Sequence, residues 1–282
     1  MTPGARAVPG GLLEAVAASV QTTVASRRAR VPIDELARTA AARRPDGRRF
    51  REAIARDGRV NIIAECKRRS PARGVLARSY EPGEIARVYE RAGAAAISVI
   101  TETTFFDGAL AHLEAVRAAT SLPLLRKDFV LDEYQLYEAR AAGADAVLLI
   151  VALLDDRSLE RLARCAADLG LAALVEVHSS LEIEAARDAG ADIIGVNSRD
   201  LRTLAVDVRV CDALIQQAPH GCVMVAESGM RRREDLERLA ACGYHAFLIG
   251  EFLMTAPDPA AALAGLAGAP GGGSLRTRGV EA

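Results

Sequence analysis

The chain has 282 residues, half of them hydrophobic, with aliphatic side chains dominating and no Trp, enough for the large core that parallel strands buried on both faces require. Thirty-six Lys and Arg against 37 Asp and Glu give a formal net charge of −1, so there is no global basic field to draw nucleic acid or an anionic membrane. Five cysteines (Cys66, Cys165, Cys211, Cys222 and Cys242) without a CxxC pair, and four scattered histidines without HExxH or HxH, give no basis for a disulfide framework or a metal centre.

Residues 1–10 are small and rich in Pro and Gly, and are expected to be loose. No secretory leader pattern is present, and no uncharged apolar run reaches the roughly 18 residues of a membrane span. The expected location is cytoplasmic. Residues 11–58 carry two amphipathic helical stretches, LLEAVAASVQTTVASRRA and IDELARTAAARRP. Neither leads into a strand, so residues 1–58 read as an N-terminal helical extension of the same domain.

From residue 59 short aliphatic runs alternate with stretches of helical period. The runs are 60–66, 95–101, 122–128, 145–152, 172–178, 192–197, 222–228 and 246–250. Between them lie helical stretches at 82–92, 109–119, 132–142, 156–169, 179–188, 207–217 and 230–241. RAGAAAI, AAGADAV, DAGADII and ACGYHAF repeat a helix–Gly–strand junction, in which Gly93, Gly143, Gly190 and Gly243 fit the left-handed residue that ends a helix. Repeated units of this kind imply parallel strands with right-handed crossovers, and eight close as a single (β/α)8 TIM barrel over 59–267. A doubly wound sheet is the alternative, but no GxGxxG follows the first strand. Residues 268–282, with three consecutive glycines, are expected to be a disordered tail.

Barrel enzymes work at the C-terminal ends of their strands, and here those ends are polar. They carry Glu65 and Lys67, Lys127, Glu176, Asn197 with Arg199, and Glu227 with Ser228. Alternation puts Glu65 and Lys67 on one strand face and Cys66 on the other, while Leu125 pairs with Lys127, Leu174 with Glu176 and Val225 with Glu227. If those faces look inward, two lysines and three carboxylates converge. A structural ion-pair network explains one such pair as well as catalysis does, but not five ionisable groups together. The segments ESGM (227–230) and IGEFLM (249–254) follow the seventh and eighth strands, where barrels often cradle phosphate with backbone N–H groups. SPARG (70–74), after the first strand, adds Ser70.

AECKRRSPARG, LLRKDF, LVEVH, GVNSRDL, VAESGM and FLIGEFLM, in this order, resemble the indole-3-glycerol phosphate synthase family over residues 11–267, including FRE (50–52) before the first strand. The resemblance implies ring closure of 1-(2-carboxyphenylamino)-1-deoxyribulose 5-phosphate with loss of carbon dioxide and water, without a cofactor. It implies Lys127 as the acid on the substrate ketone, Lys67 at the anthranilate carboxylate and in dehydration, and Glu176 as base with Glu65 assisting. Asn197 would bind substrate hydroxyls and Arg199 the carboxylate. Glu227 would hold lysines and hydroxyls, and Phe129 and Leu201 would pack the aromatic ring. Ser70, Ser228, Gly229 and Gly250 would bind phosphate. Ala109 stands where the family commonly has serine, and Glu251-Phe252 is bulkier than usual, so Phe252 could crowd the phosphate.

Other residues carry plainer readings. His178 fits a structural strand-end histidine, with proton shuttling the alternative. Cys66 fits a small core residue. Phe105 and Phe106 either cap substrate or pack a loop. Tyr134 and Tyr137 fit helix-surface packing, and Arg27–Arg30 and Arg231–Arg233 fit solvated helix faces. Phosphoribosylanthranilate isomerase chemistry would want an inward cysteine on the first strand and an aspartate ending the sixth, where this chain has Lys67 and Asn197. A paralogue acting on a related aryl-amino sugar phosphate would look the same at every catalytic position. A non-catalytic phosphometabolite-binding regulator should have lost a lysine or Glu176. The expected partner is a small phosphorylated substrate, and the expected state a free-standing monomer.

Overall fold

A computed structural model describes residues 11–201 and 203–268. The expected loose segment 1–10 and the tail beyond Gly268 lie outside the described residues. The eight strands form where the aliphatic runs predict them: β1 (Asn61–Cys66), β2 (Ala96–Ile100), β3 (Leu124–Lys127), β4 (Ala146–Ile150), β5 (Ala172–Val177), β6 (Ile193–Asn197), β7 (Val223–Glu227) and β8 (Ala246–Ile249). All pair in parallel in sequence order, and β8 returns to β1 to close the barrel, with Asn61 opposite Ala246.

Three helices precede the barrel: α1 (Leu12–Arg30), α2 (Ile33–Ala41) and α3 (Gly47–Ile54). Crossovers follow as α4 (Pro82–Arg91), α5 (Leu110–Ala119), α6 (Glu133–Ala141), α7 (Asp156–Asp168), α8 (Ser180–Asp188), α9 (Arg209–Leu214) and α10 (Arg233–Cys242). After β8 come the short α11 (Glu251–Thr255) and α12 (Pro259–Ala267). The four repeated glycines sit at φ of 76° to 116° beyond their helices, as the junction requires. Among the described residues no helix is long and apolar enough to cross a membrane.

Strand alternation splits the core in two. Ile62, Ile97, Val147, Val175 and Met224 face outward and pack beneath the helices. Ile63, Leu125, Leu148, Leu174, Val225 and Leu248 fill the barrel. Leu125, Leu174 and Val225 therefore look inward, and so do Lys127, Glu176 and Glu227 two residues on.

Three features depart from the expectations. The third helix, α3, was not read as one; its N-cap Asp46 accepts from the Arg49 N–H, and Phe50 and Ile54 close the lower end of the barrel interior. Around SPARG, Arg69–Ser70 and Gly74–Val75 form a small antiparallel hairpin. Tyr134 is not on an open helix surface. It is buried under α1, and its hydroxyl donates to the Val31 carbonyl at 3.0 Å.

Candidate active site

Glu65, Lys67, Lys127, Glu176, Asn197, Arg199, Glu227, Ser228, Gly229 and Gly250 line one cavity of about 400 Å³ at the upper mouth of the barrel, with Phe129 and Leu201 on its wall. Two glycines make room for its carboxylates. A Cβ on Gly195 would lie 2.1 Å from Oε1 of Glu227, and one on Gly250 would lie 2.2 Å from Oε1 of Glu65. Any side chain at either position would displace a carboxylate.

Lys127 sits between two carboxylates, donating to Glu176 Oε2 at 2.8 Å and to Glu227 Oε2 at 2.6 Å. An ammonium has three donors, so one N–H remains for a ligand. Burial disfavours the lysine's charge, but Glu176, Glu227 and Glu65 outweigh it and hold the pKa well above the ordinary lysine range. The two carboxylates diverge. Burial pushes Glu176 up, but Lys127, His178 and hydrogen bonds from Lys127 and Asn197 hold it below the usual carboxylate range. For Glu227 burial, reinforced by Glu176, wins over Lys127 and raises it. Its Oε1 has no hydrogen-bond partner among the described residues. The second lysine, Lys67, pairs with Glu65 at 2.7 Å, both largely buried. Cys66 points the other way into the outer core, and burial followed by the Glu65 charge raises its thiol, which agrees with a packing role.

Asn197 joins Glu176 to the loop after β7. Its Nδ2 donates to Glu176 Oε1 at 3.1 Å, and its Oδ1 accepts from Ser228 Oγ at 2.9 Å and from the Arg199 N–H at 3.0 Å. Ser228 holds φ of 67°, a conformation unusual for a residue with a side chain, stabilised by Ser198 Oγ donating to its carbonyl at 3.0 Å.

The structure brings together every sequence-predicted site residue except Ser70. Ser70 lies in a side recess next to Lys67, and its hydroxyl accepts from the Arg73 N–H at 3.2 Å. That recess shares Lys67, Phe106, Phe129, Arg199, Leu201 and Glu251 with the main cavity. Arg231 is not merely part of a solvated face, because the loop after β7 carries it to the cavity wall. It converges on the Glu251 carboxylate at 3.2 Å, together with Arg73 at 3.2 Å and Arg199 at 3.4 Å. The sequence reading also missed Glu102 and Asp128. Glu102 lines the cavity and accepts from the N–H groups of Thr104, Phe105 and Phe106 at 2.7 to 3.0 Å. Its position at the end of β2 was the available signal. That loop divides the phenylalanines: Phe106 lines the cavity 6.0 Å from Phe129, whereas Phe105 packs toward α1. Phe252 also lines the cavity.

The family profile described as indole-3-glycerol phosphate synthase matches residues 13–266. A protein of that name from Carboxydothermus hydrogenoformans is 51% identical over 221 residues, covering 76% of this chain and 83% of its own length. Another from Streptomyces griseus subsp. griseus is 46% identical over 265 residues, covering 94% and 98%. Among solved structures, a thiamine phosphate pyrophosphorylase from Pyrococcus furiosus superposes with a TM-score of 0.57 at 19% identity, over 73% of this chain and 93% of that one. That likeness speaks to the barrel alone.

Proposed function

The chain belongs to the indole-3-glycerol phosphate synthase family, and from that premise we propose how its residues divide the reaction. The enzyme is a carboxy-lyase of tryptophan biosynthesis. It closes the indole ring of 1-(2-carboxyphenylamino)-1-deoxyribulose 5-phosphate, releasing carbon dioxide and water.

The ring carbon bearing the carboxylate attacks the ketone carbon, and negative charge develops on the ketone oxygen. The third N–H of Lys127 donates to that oxygen, a reading supported by its other two being taken up by Glu176 and Glu227. Carbon dioxide then leaves, and its bonding electron pair restores the aromatic ring. In the dehydration Glu176, ionised at neutral pH, takes the proton from the neighbouring methylene carbon. Lys67, paired with Glu65, gives a proton to the departing hydroxyl. Asn197 orients substrate hydroxyls, and Arg199 and Lys67 meet the carboxylate. Phe129 and Leu201 cover the aromatic ring. The phosphate lies against Ser228, Gly229 and Gly250, with Ser70 at the margin.

The placement of Lys127 between Glu176 and Glu227 carries this reading. Its test is turnover of the purified protein on that substrate, followed by indole fluorescence, beside Lys127→Met. Loss of at least about 100-fold in kcat with a folded variant is expected of a removed general acid. Retention of wild-type turnover would remove Lys127 from the role.

A further inference from the structure

His178 follows Glu176 by two residues at the upper end of β5, and its imidazole stands between two carboxylates. Nε2 lies 3.5 Å from Oε1 of Glu176, and Nδ1 lies 3.4 Å from Oε2 of Glu182. Glu182 is fixed where it stands. It belongs to the first turn of α8, its N–H is capped by Ser179, and its Oε2 also accepts the His178 backbone N–H at 2.7 Å. Both ring nitrogens are shielded from solvent, and neither makes a hydrogen bond among the described residues, so the two carboxylates stand at ion-pair distance only. A neutral imidazole has one N–H, so it would turn a lone pair on one of the two anions, whereas an imidazolium presents an N–H to each.

We propose that His178 is a positioning residue for the reaction, an imidazolium that ties the Glu176 carboxylate back to Glu182 on α8 and so fixes the orientation of the base. The inference rests on Glu176 being the base. Asn197 and Lys127 hold that carboxylate from the cavity side, one on each oxygen. The His178 ring faces the Oε1 side of the same carboxylate at 3.5 Å. The charged groups facing the ring are Glu176 on β5, Glu182 on α8 and Glu227 on β7, with Lys127 beyond the two barrel carboxylates. Burial opposes the imidazolium, but Glu182, Glu176 and Glu227 together raise its pKa above the ordinary value. A raised pKa means that the bridge is complete below the ordinary histidine value of about 6.5. It is lost as pH climbs through the higher folded-state value.

The experiment combines kinetics with histidine NMR on the full chain. His178→Ala is expected to lower kcat roughly tenfold, the size of loosening a proton-transfer group that keeps its other contacts. KM should stay within about twofold, and the alkaline arm assigned to His178 should vanish from the profile. His178→Gln, which keeps one donor for Glu176, should recover part of the loss. In the NMR titration, the resonance missing from His178→Ala should titrate above the ordinary value in the wild type, and lower in Glu182→Gln. A His178 titrating at or below the ordinary value, or a His178→Ala pH profile that overlies the wild type, overturns the proposal. Glu176→Gln separates the two layers. If that variant is inactive while His178→Ala behaves as wild type, only the bridge fails; if Glu176→Gln turns over normally, Glu176 is not the base and the bridge falls with it. Should His178→Ala fold poorly, the resonance is assigned as the one missing from His178→Gln, and its titration in the wild type and in Glu182→Gln still decides.

Discussion

Lys127 divides its charge between two carboxylates, whereas Arg73, Arg199 and Arg231 all converge on the single carboxylate of Glu251. Three guanidinium groups around one anion leave an excess of positive charge at the cavity mouth, where the substrate's phosphate and carboxylate must enter. Glu251 offsets part of that excess and competes with an incoming anion for the same donors. Arg73 and Arg231 are more than half exposed, so each pair is worth on the order of 1 kcal/mol or less. Glu251→Gln keeps the shape and removes the charge. Inorganic phosphate is expected to inhibit that variant about three- to fivefold more tightly than the wild type, a gain that shrinks as salt is raised. Weaker phosphate inhibition would instead mean that Glu251 serves to hold the arginines in place.

At the scale of the element, α5, whose N-cap is Ala109, shares with α4, α9 and α10 the lack of a side-chain N-cap. Asp132, Asp155, Ser179 and Asp258 cap α6, α7, α8 and α12 through their side chains, but no side chain caps α5. The Ala109 backbone is already extended, at φ −158° and ψ 152°, as a capping residue's should be. Ala109→Ser is therefore expected to stabilise the fold by about 1 kcal/mol and to raise Tm by roughly 2–4 °C in a domain of this size. No increase in a thermal melt would show that the hydroxyl cannot reach the exposed N–H groups. Capping and periodicity also explain what the sequence made legible. The barrel strands were readable because each is an aliphatic run set between helical stretches, and four of them are entered through the repeated left-handed glycine. The inward face was readable from period two once Leu125, Leu174 and Val225 were placed inside. Helix α3 escaped because it is eight residues long and its stripe of Phe50, Ala53 and Ile54 makes only one turn of signal. Arg231 escaped because a run of arginines looks the same whether it faces solvent or a cavity, and only the path of the loop distinguishes them. The hairpin that carries Ser70 was not legible either, since it is held by backbone pairing.

The whole molecule is a barrel with different work at its two ends, and the N-terminal helices serve both. At the lower end α3 inserts Phe50 and Ile54, both fully buried, beneath Ile63, Leu174 and Ile193. At the upper end α1 brings Leu12, Leu13 and Val16 to the recess shared by Lys67, Phe106, Phe129 and Leu201. Ser19 Oγ and Thr104 Oγ1, 2.7 Å apart, link α1 to the loop that carries Phe106. A defect at either end should therefore have its own kinetic signature. Phe50→Ala removes a buried aromatic far from the chemistry and is expected to cost about 3–5 kcal/mol of stability. KM should stay unchanged at temperatures where the variant remains folded. Val16→Asp puts a carboxylate where the side chain is 1% exposed, so α1 has to lift locally to hydrate it. Because α1 supports Phe129 and the Phe106 loop, that variant should raise KM for the substrate several-fold before it lowers kcat. Chemical denaturation and steady-state kinetics on both variants test the division directly. A KM effect from Phe50→Ala equal to that from Val16→Asp would mean that the barrel transmits packing defects along its full length, and that the extension is a general brace with no particular tie to the site.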